Sequence, residues 1–231
     1  MGQKFTNAIK ETSNSKIISV ASLDKNKIKN FKDNYNLNKV TVYNNYDEII
    51  KDKNINAIYI ATLNNSHFGL IKKCSENNKN ILCEKPFTLN YDEGREVYDY
   101  ITKNRIIFYE GFADRSHPQT KIIQDIVQNN ELGEIKNIQS SFGFKINKIK
   151  PDSRLFDKKL GGGAILDVGC YPLSILNLFY KDPDSYEFLN TKGNLAQTNV
   201  DDFAEAEIEI NKKIRCQIKV SFKENYQNNT I

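Results

Sequence analysis

The sequence predicts a parallel, doubly wound α/β sheet in its first half and an α+β second half built on an open antiparallel sheet. Three observations carry this. From Phe5 to Tyr109, short apolar runs alternate with helical patterns, as strands and helices do in right-handed βαβ units. After about residue 112 that rhythm stops. The end of the chain, Ala204 to Val220, alternates apolar and polar residues strictly, the mark of strands with one wet face.

Taken in order, Phe5, Ala8 and Ile9 form one face of a short helix, and Ile17-Ile18-Ser19-Val20-Ala21 follows as a buried strand. Asp24 caps a helix carrying Ile28 and Phe31, and Val40 to Tyr43 is a small strand. Tyr46, Ile49 and Ile50 give a helical turn before the β-prone run Ala57-Ile58-Tyr59-Ile60-Ala61. A helix over 67–77 places Phe68, Ile71 and Cys74 on one face. Next come a strand ending at Lys85, a helix over about 91–103 with Val97 and Ile101 inward, and a strand over 106–109. The second half holds a helix over 118–129, a long strand-like stretch from Ile135 to Ile146, a Gly-rich loop and an apolar helix over 164–180. A tight turn at Asn211 to Lys213 then closes a hairpin. If Ile210 faces Ile214, Glu209 falls opposite Arg215 and Glu205 opposite Lys219, so one face is apolar and the other charge-paired. A parallel half joined to an antiparallel half predicts two domains, 1–112 and 113–231, with a cleft between them.

Composition narrows the function. With 231 residues and a net charge of +4, the chain is long enough for a real core, and its lysines and acids are spread without a basic block. Nucleic acid is therefore not the favoured partner. Cys74, Cys83, Cys170 and Cys216 show no ligand spacing and there are only two histidines, which argues against a metal site or a disulfide framework and for a reducing cytoplasm. No apolar run reaches the length of a membrane span and no signal peptide precedes the first helix.

The chemistry centres on Ile81-Leu82-Cys83-Glu84-Lys85-Pro86-Phe87. Pro86 stops the strand, and strand ends of open parallel sheets face the ligand crevice. A lysine fixed there, beside Glu84 and partly desolvated, suits proton transfer, whereas an isolated Glu-Lys-Pro is more often a solvated ion pair at a loop. Two further stretches raise the odds. Glu110 to Gln119 places Arg115 and His117 just past a strand end, with Pro118 suited to a first helical turn. Gly161-Gly162-Gly163 leads through Asp167 to Tyr171, at i and i+4 on one helical face. An acid and a phenol so placed could flank a reacting carbonyl; equally, Asp167 could cap a helix and Tyr171 could simply pack.

In this order and spacing, Glu84-Lys85-Pro86, the Glu110-to-Gln119 stretch and Gly161 to Tyr171 resemble the Gfo/Idh/MocA oxidoreductases. Tyr171, where many members have His, is similar to the branch of dimeric dihydrodiol and xylose-type aldose dehydrogenases. The resemblance implies a Rossmann domain followed by an open antiparallel sheet, and hydride transfer between a nicotinamide (NAD or NADP) and a carbon of a sugar or cyclic diol. It implies that Lys85 is the catalytic lysine, Tyr171 the acid/base partner and Asp167 a supporting polar group. Ala61, Thr62, Asn64 and His67 would lie along the cofactor, with Glu84 and Arg115 bordering the same cleft. A homodimer through the antiparallel sheet is expected from the same resemblance.

The chain also departs from the pattern. A nucleotide-binding domain ordinarily opens with a strand leading into G-x-G-x-x-G. Here Gly2 lies where the last glycine would stand, directly before a helix, so the first strand and the first two glycines are expected to be missing and the sheet at the C-terminus to be short. A poor catalyst is expected for this polypeptide, and a non-catalytic nucleotide-binding sensor or an inactive remnant is the competing reading. For the cofactor, Ser22 lacks the charge that repels a 2′-phosphate, Leu23 lacks the guanidinium that binds one, and Lys25 partly substitutes, which tips the reading toward NADP.

Overall fold

A computed structural model describes residues 2–179, 185–226 and 229–230. Its contacts divide the chain into two compact units, Met1–Gly111 and Phe112–Ile231.

The first unit alternates helix and strand throughout. In order it contains α1 (Gly2–Lys10), β1 (Ser19–Ala21), α2 (Lys25–Asn34), β2 (Thr41–Tyr43), α3 (Tyr46–Lys51), β3 (Ala57–Ile60), α4 (Asn64–Glu76), β4 (Asn80–Cys83), α5 (Tyr91–Lys103) and β5 (Phe108–Glu110). Three helices start on side-chain caps. Asp24 accepts from the N–H groups of Asn26 and Lys27, Asn45 from Glu48 and Asn90 from Glu93, each satisfying donors that a helix start leaves orphaned. α4 begins at Asn64, three residues before the sequence predicts, because the Ser66 N–H and hydroxyl both bond the Leu63 carbonyl and so seed the turn early. β1 is shorter than its apolar run because its partner reaches it only from Ser19, opposite Thr41. β5 starts later than expected because the Ile107 N–H is taken by the Asn80 side chain.

All strand pairs in this unit are parallel: β1 with β2, β3 with β4 and β4 with β5. Ile60, Ile71, Cys74, Ile81, Cys83 and Val97 form the core between this three-stranded sheet and its helices. Within their sheets β1 and β3 each pair on one side only, and among the described residues no strand lies between them. Instead, residues of both strands line a groove of about 460 Å3 together with Phe5, Thr6 and Ile9 of α1.

The second unit contains α6 (Pro118–Gln128), β6 (Asn137–Gly143), a π-helical turn (Ile165–Gly169) running into α7 (Cys170–Phe179), then β7 (Tyr186–Leu195), β8 (Asp201–Ile210), β9 (Ile214–Ser221) and β10 (Asn229–Thr230). Tyr180, the expected end of the apolar helix, lies outside the described residues. The sheet order is β10-β6-β9-β8-β7. It is mixed and not purely antiparallel, since β6 runs parallel to β9. A long crossover through the Gly-rich loop, α7 and two further strands separates β6 from β9, and parallel neighbours need such a connection. The hairpin has the predicted register, with Ile210 opposite Ile214, Glu209 opposite Arg215 and Glu205 opposite Lys219. Asn211 and Lys212, at φ 53° and 56°, make its turn in the left-handed region. Its apolar face packs Ile208, Ile210, Ile218 and Val220 against Ala164, Val168 and Leu176.

β7 has no counterpart in the sequence reading. Every one of its residues is exposed, so no apolar alternation marks it, and it exists as a strand through its backbone pairing with β8. The core assignment of the first unit is testable: Ile71→Ala, at a fully buried position, should lower its unfolding free energy by about 2–5 kcal/mol. Ile107→Ala, at a position 61% exposed, should change it by less than about 0.5 kcal/mol in the same urea titration.

Candidate active site

In the first unit the Lys85 segment is held from three elements. The Tyr59 hydroxyl of β3 donates to the Glu84 carboxylate, which is buried. From α4, His67 Nδ1 lies 2.9 Å from the Pro86 carbonyl. From β5, the Glu110 carboxylate accepts the Phe87 N–H at 3.1 Å. The backbone adds the Gly111 N–H to the Cys83 carbonyl at 2.7 Å. A glycine eases that approach, because a Cβ there would stand 3.2 Å from the Cys83 oxygen and 3.3 Å from Glu84 Cα, closer than most Cβ contacts. Burial, and then the Glu84 carboxylate, push the Tyr59 phenol above its usual range, so it remains a neutral donor. Glu84 is thus a buried acceptor for Tyr59, where an isolated Glu-Lys-Pro would more often be a solvated pair. Lys85 itself is half-buried.

The neighbouring strand end carries the loop expected along a cofactor. Ala61 is exposed, Thr62 and Asn64 are half-buried, and Thr62 Oγ1 hydrogen-bonds Ser66 Oγ at 2.6 Å. α4 opens behind this loop without a side-chain cap. An exposed small residue and an uncapped helix start at the C-terminal end of a parallel strand fit a dinucleotide. His67 is different: it has no exposed surface at all. At the end of β1, Ser22 Oγ accepts from the Asp24 N–H at 3.1 Å, while Leu23 and Lys25 are exposed. Gly2, at the start of α1, lines the groove described above.

In the second unit, Asp167 and Tyr171 do not share a regular α-helical face, because Ile165–Gly169 is a wider π turn. Asp167 is buried against Arg154, whose Nη1 lies 2.8 Å from its Oδ1. The Tyr171 ring makes edge contacts with Phe112 and Phe142, at centroid distances of 5.6 and 5.3 Å. Arg115 stacks its guanidinium over Phe112 and donates to Ser174 from Nε to Oγ at 2.7 Å and from Nη2 to the carbonyl at 3.1 Å. His117 caps α6 by accepting the Gln119 N–H. The start of the π turn is capped by Asp201 of β8, which accepts the Ile165 N–H at 2.7 Å. Burial pushes the Asp201 carboxyl up, partly opposed by the backbone donors of Ile165 and Ala164. Gly163, at φ 123°, lets the loop run against that carboxylate.

Tyr59, Arg154, Phe112, Phe142, Ser174 and Asp201 escape a reading of motifs alone. Only Arg154 leaves a signal, an arginine in a lysine-rich stretch. Among the described residues no group of three His, Cys, Asp or Glu side chains is placed to hold a metal ion, and no helix is long and apolar enough to cross a membrane.

Residues 1–112 match the oxidoreductase family with an NAD-binding Rossmann fold, which defines the class as NAD(P)-binding oxidoreductases. Residues 120–231 match the Gfo/Idh/MocA C-terminal domain, and the chain belongs to the Gfo/Idh/MocA family. It is 33% identical over 186 residues to trans-1,2-dihydrobenzene-1,2-diol dehydrogenase of Xenopus tropicalis, covering 80% of this chain and 54% of that one. Over 144 residues it is 34% identical to D-xylose 1-dehydrogenase (NADP(+)) 2 of Haloferax volcanii, covering 62% and 44%. The chain therefore spans about half the length of the curated relatives it matches. A 3-ketoreductase from Actinomadura kijaniata, solved with NADP and TDP-benzene, shares the fold at a TM-score of 0.85 and 21% identity, over 97% of this chain and 67% of that one.

Two predictions follow from the local chemistry. Burial pushes the Cys74 thiol up to about 12 and the Cys83 thiol higher still, so at pH 8 only about one Cys74 in 10,000 is thiolate. Iodoacetamide should label half-buried Cys170 first and faster as pH rises from 7 to 9, with Cys74 and Cys83 unlabelled by mass spectrometry in the folded chain. Gly163→Ala should cost about 1–3 kcal/mol or more, read from thermal unfolding, since a Cβ meets the Asp201 carboxylate at a φ that side chains avoid.

Proposed function

We propose that the chain carries the proton-transfer residues of an NAD(P)-dependent dehydrogenase acting on a sugar or cyclic diol. The observation that carries this reading is the three-sided anchoring of the Lys85 segment at the C-terminal end of a parallel strand. A lysine there is a half-buried cation on a fixed backbone, suited to holding a substrate oxygen and to giving or taking its proton. The nicotinamide, when bound, supplies the hydride chemistry. Tyr171, its ring fixed by Phe112 and Phe142, is the second proton-transfer group. Asp167, neutralised by Arg154, is the supporting polar group. The relatives named as diol and xylose dehydrogenases support the substrate class.

Ala61, Thr62, Asn64, Glu84 and Arg115 are the proposed cofactor-side residues of the first loops and the segment after β5, with Ser22, Leu23 and Lys25 near the adenosine ribose and Gly2 near the pyrophosphate. NADP is the proposed cofactor: Ser22 carries no repelling charge, and the Asp24 carboxylate is spent on the N–H groups of α2. A homodimer through the charge-paired face of β8 and β9, in the cytoplasm, completes the reading.

The test is an assay of aldoses and cyclic diols with both cofactors. Lys85→Ala and Tyr171→Phe should each lower kcat by about 100-fold or more. If both groups serve one reaction, the double variant should lose no more than the worse single. Lys25→Leu should raise KM for NADP several-fold and leave KM for NAD unchanged. Tight NADP binding without turnover on any sugar or diol would favour the sensor reading instead.

A further inference from the structure

We infer that His67 is a positioning residue that fixes Lys85 through the backbone, an inference that rests on Lys85 being the proton-transfer lysine. The imidazole has no exposed surface, so it reaches a bound molecule only through what it holds. It holds two loops. Nδ1 lies 2.9 Å from the Pro86 carbonyl, one residue past Lys85, and Nε2 lies 3.3 Å from the Thr62 carbonyl, in the loop after β3. An imidazole carrying one N–H can donate to only one of them. The proposal places that proton on Nδ1, across the shorter contact, so that the ring donates to the Pro86 carbonyl.

The ring is a stiff support. His67, Ile71 and Cys74 lie on one face of α4, all three fully buried in the first unit. The residue after Lys85 is therefore tied to a fully buried helix face, and the loops after β3 and β4 both approach one side chain. Glu110 and Tyr59 hold the flanking residues Phe87 and Glu84. His67 acts on the Pro86–Phe87 peptide unit from α4, and Glu110 acts on the same unit from β5.

His67→Leu and His67→Asn separate this role from packing. Asn places an amide N–H near the position of Nδ1, and Leu places none. Turnover in His67→Leu should fall about 10- to 100-fold with little change in KM, and His67→Asn should recover to within about threefold of the unsubstituted chain. A second readout needs no turnover: pulse acetylation of lysines, quantified by mass spectrometry with other lysines as internal reference. The rate at Lys85 should change by more than about threefold in His67→Leu and not in His67→Asn. Equal behaviour of the two variants in that labelling, or no change at Lys85 in either, overturns the proposal. If every version including the unsubstituted chain lacks dehydrogenase activity, the proposed function fails while the labelling still decides the role of His67. Should His67→Leu not fold, nitrogen NMR of the unsubstituted chain decides: a slowly exchanging Nδ1–H supports the proposal, and a proton on Nε2 overturns it.

Discussion

Residues 84–87 follow the end of β4, and three side chains from three elements reach them. Tyr59, His67 and Glu110 each bond a different residue of the segment, and each comes from an element that is itself part of the α/β layer. Backbone groups that leave a sheet and stay partly buried must find partners or lose free energy. Here the partners are side chains, which fixes the segment in one arrangement without extending the strand. A lysine presented from such a segment pays little entropy when it engages a substrate, which is the physical advantage of a preorganised group.

The second unit solves a related problem differently. Its helix begins in a π turn, so Asp167 and Tyr171 are not held at regular α-helical spacing. Asp167 turns to Arg154, while Tyr171 turns to a pair of phenylalanines. The start of that turn is closed from outside by Asp201, against which Gly163 alone can pass. Ion pair, aromatic contacts and cap therefore each fix one part of the turn, and none duplicates another.

Elements that bury a face were legible in the sequence. The helix over 91–103 and the hairpin register of β8 and β9 follow from periodicity alone, because each side chain's environment repeats with the backbone. The place of Lys85 just past a strand end was legible because Pro86 stops the strand locally. What the sequence hides is set by distant partners. β7 is held by its pairing with β8 and shows no pattern, the parallel placement of β6 depends on a crossover, and the π turn depends on Asp201, which lies 36 positions beyond Ile165. Gln217 and Lys192 also gather around Glu205, so the wet face of the hairpin is a network wider than the opposed pairs that alternation implies.

The burial of His67 shows why residue type alone misleads about role. A histidine beside a cofactor loop invites assignment as a ligand contact, because it is the side chain most ready to exchange a proton near neutral pH. That role needs exposure, and His67 has none. What it has is one face of a rigid helix and two carbonyl oxygens, one on each of the loops that carry Lys85 and Thr62. A Leu in its place would fill the volume and leave the oxygen beside Lys85 without a donor, whereas the imidazole fills the volume and supplies the donor. In this position the ring nitrogen meets the Pro86 carbonyl as a backbone N–H would in a strand, and a residue beyond the sheet is held from α4.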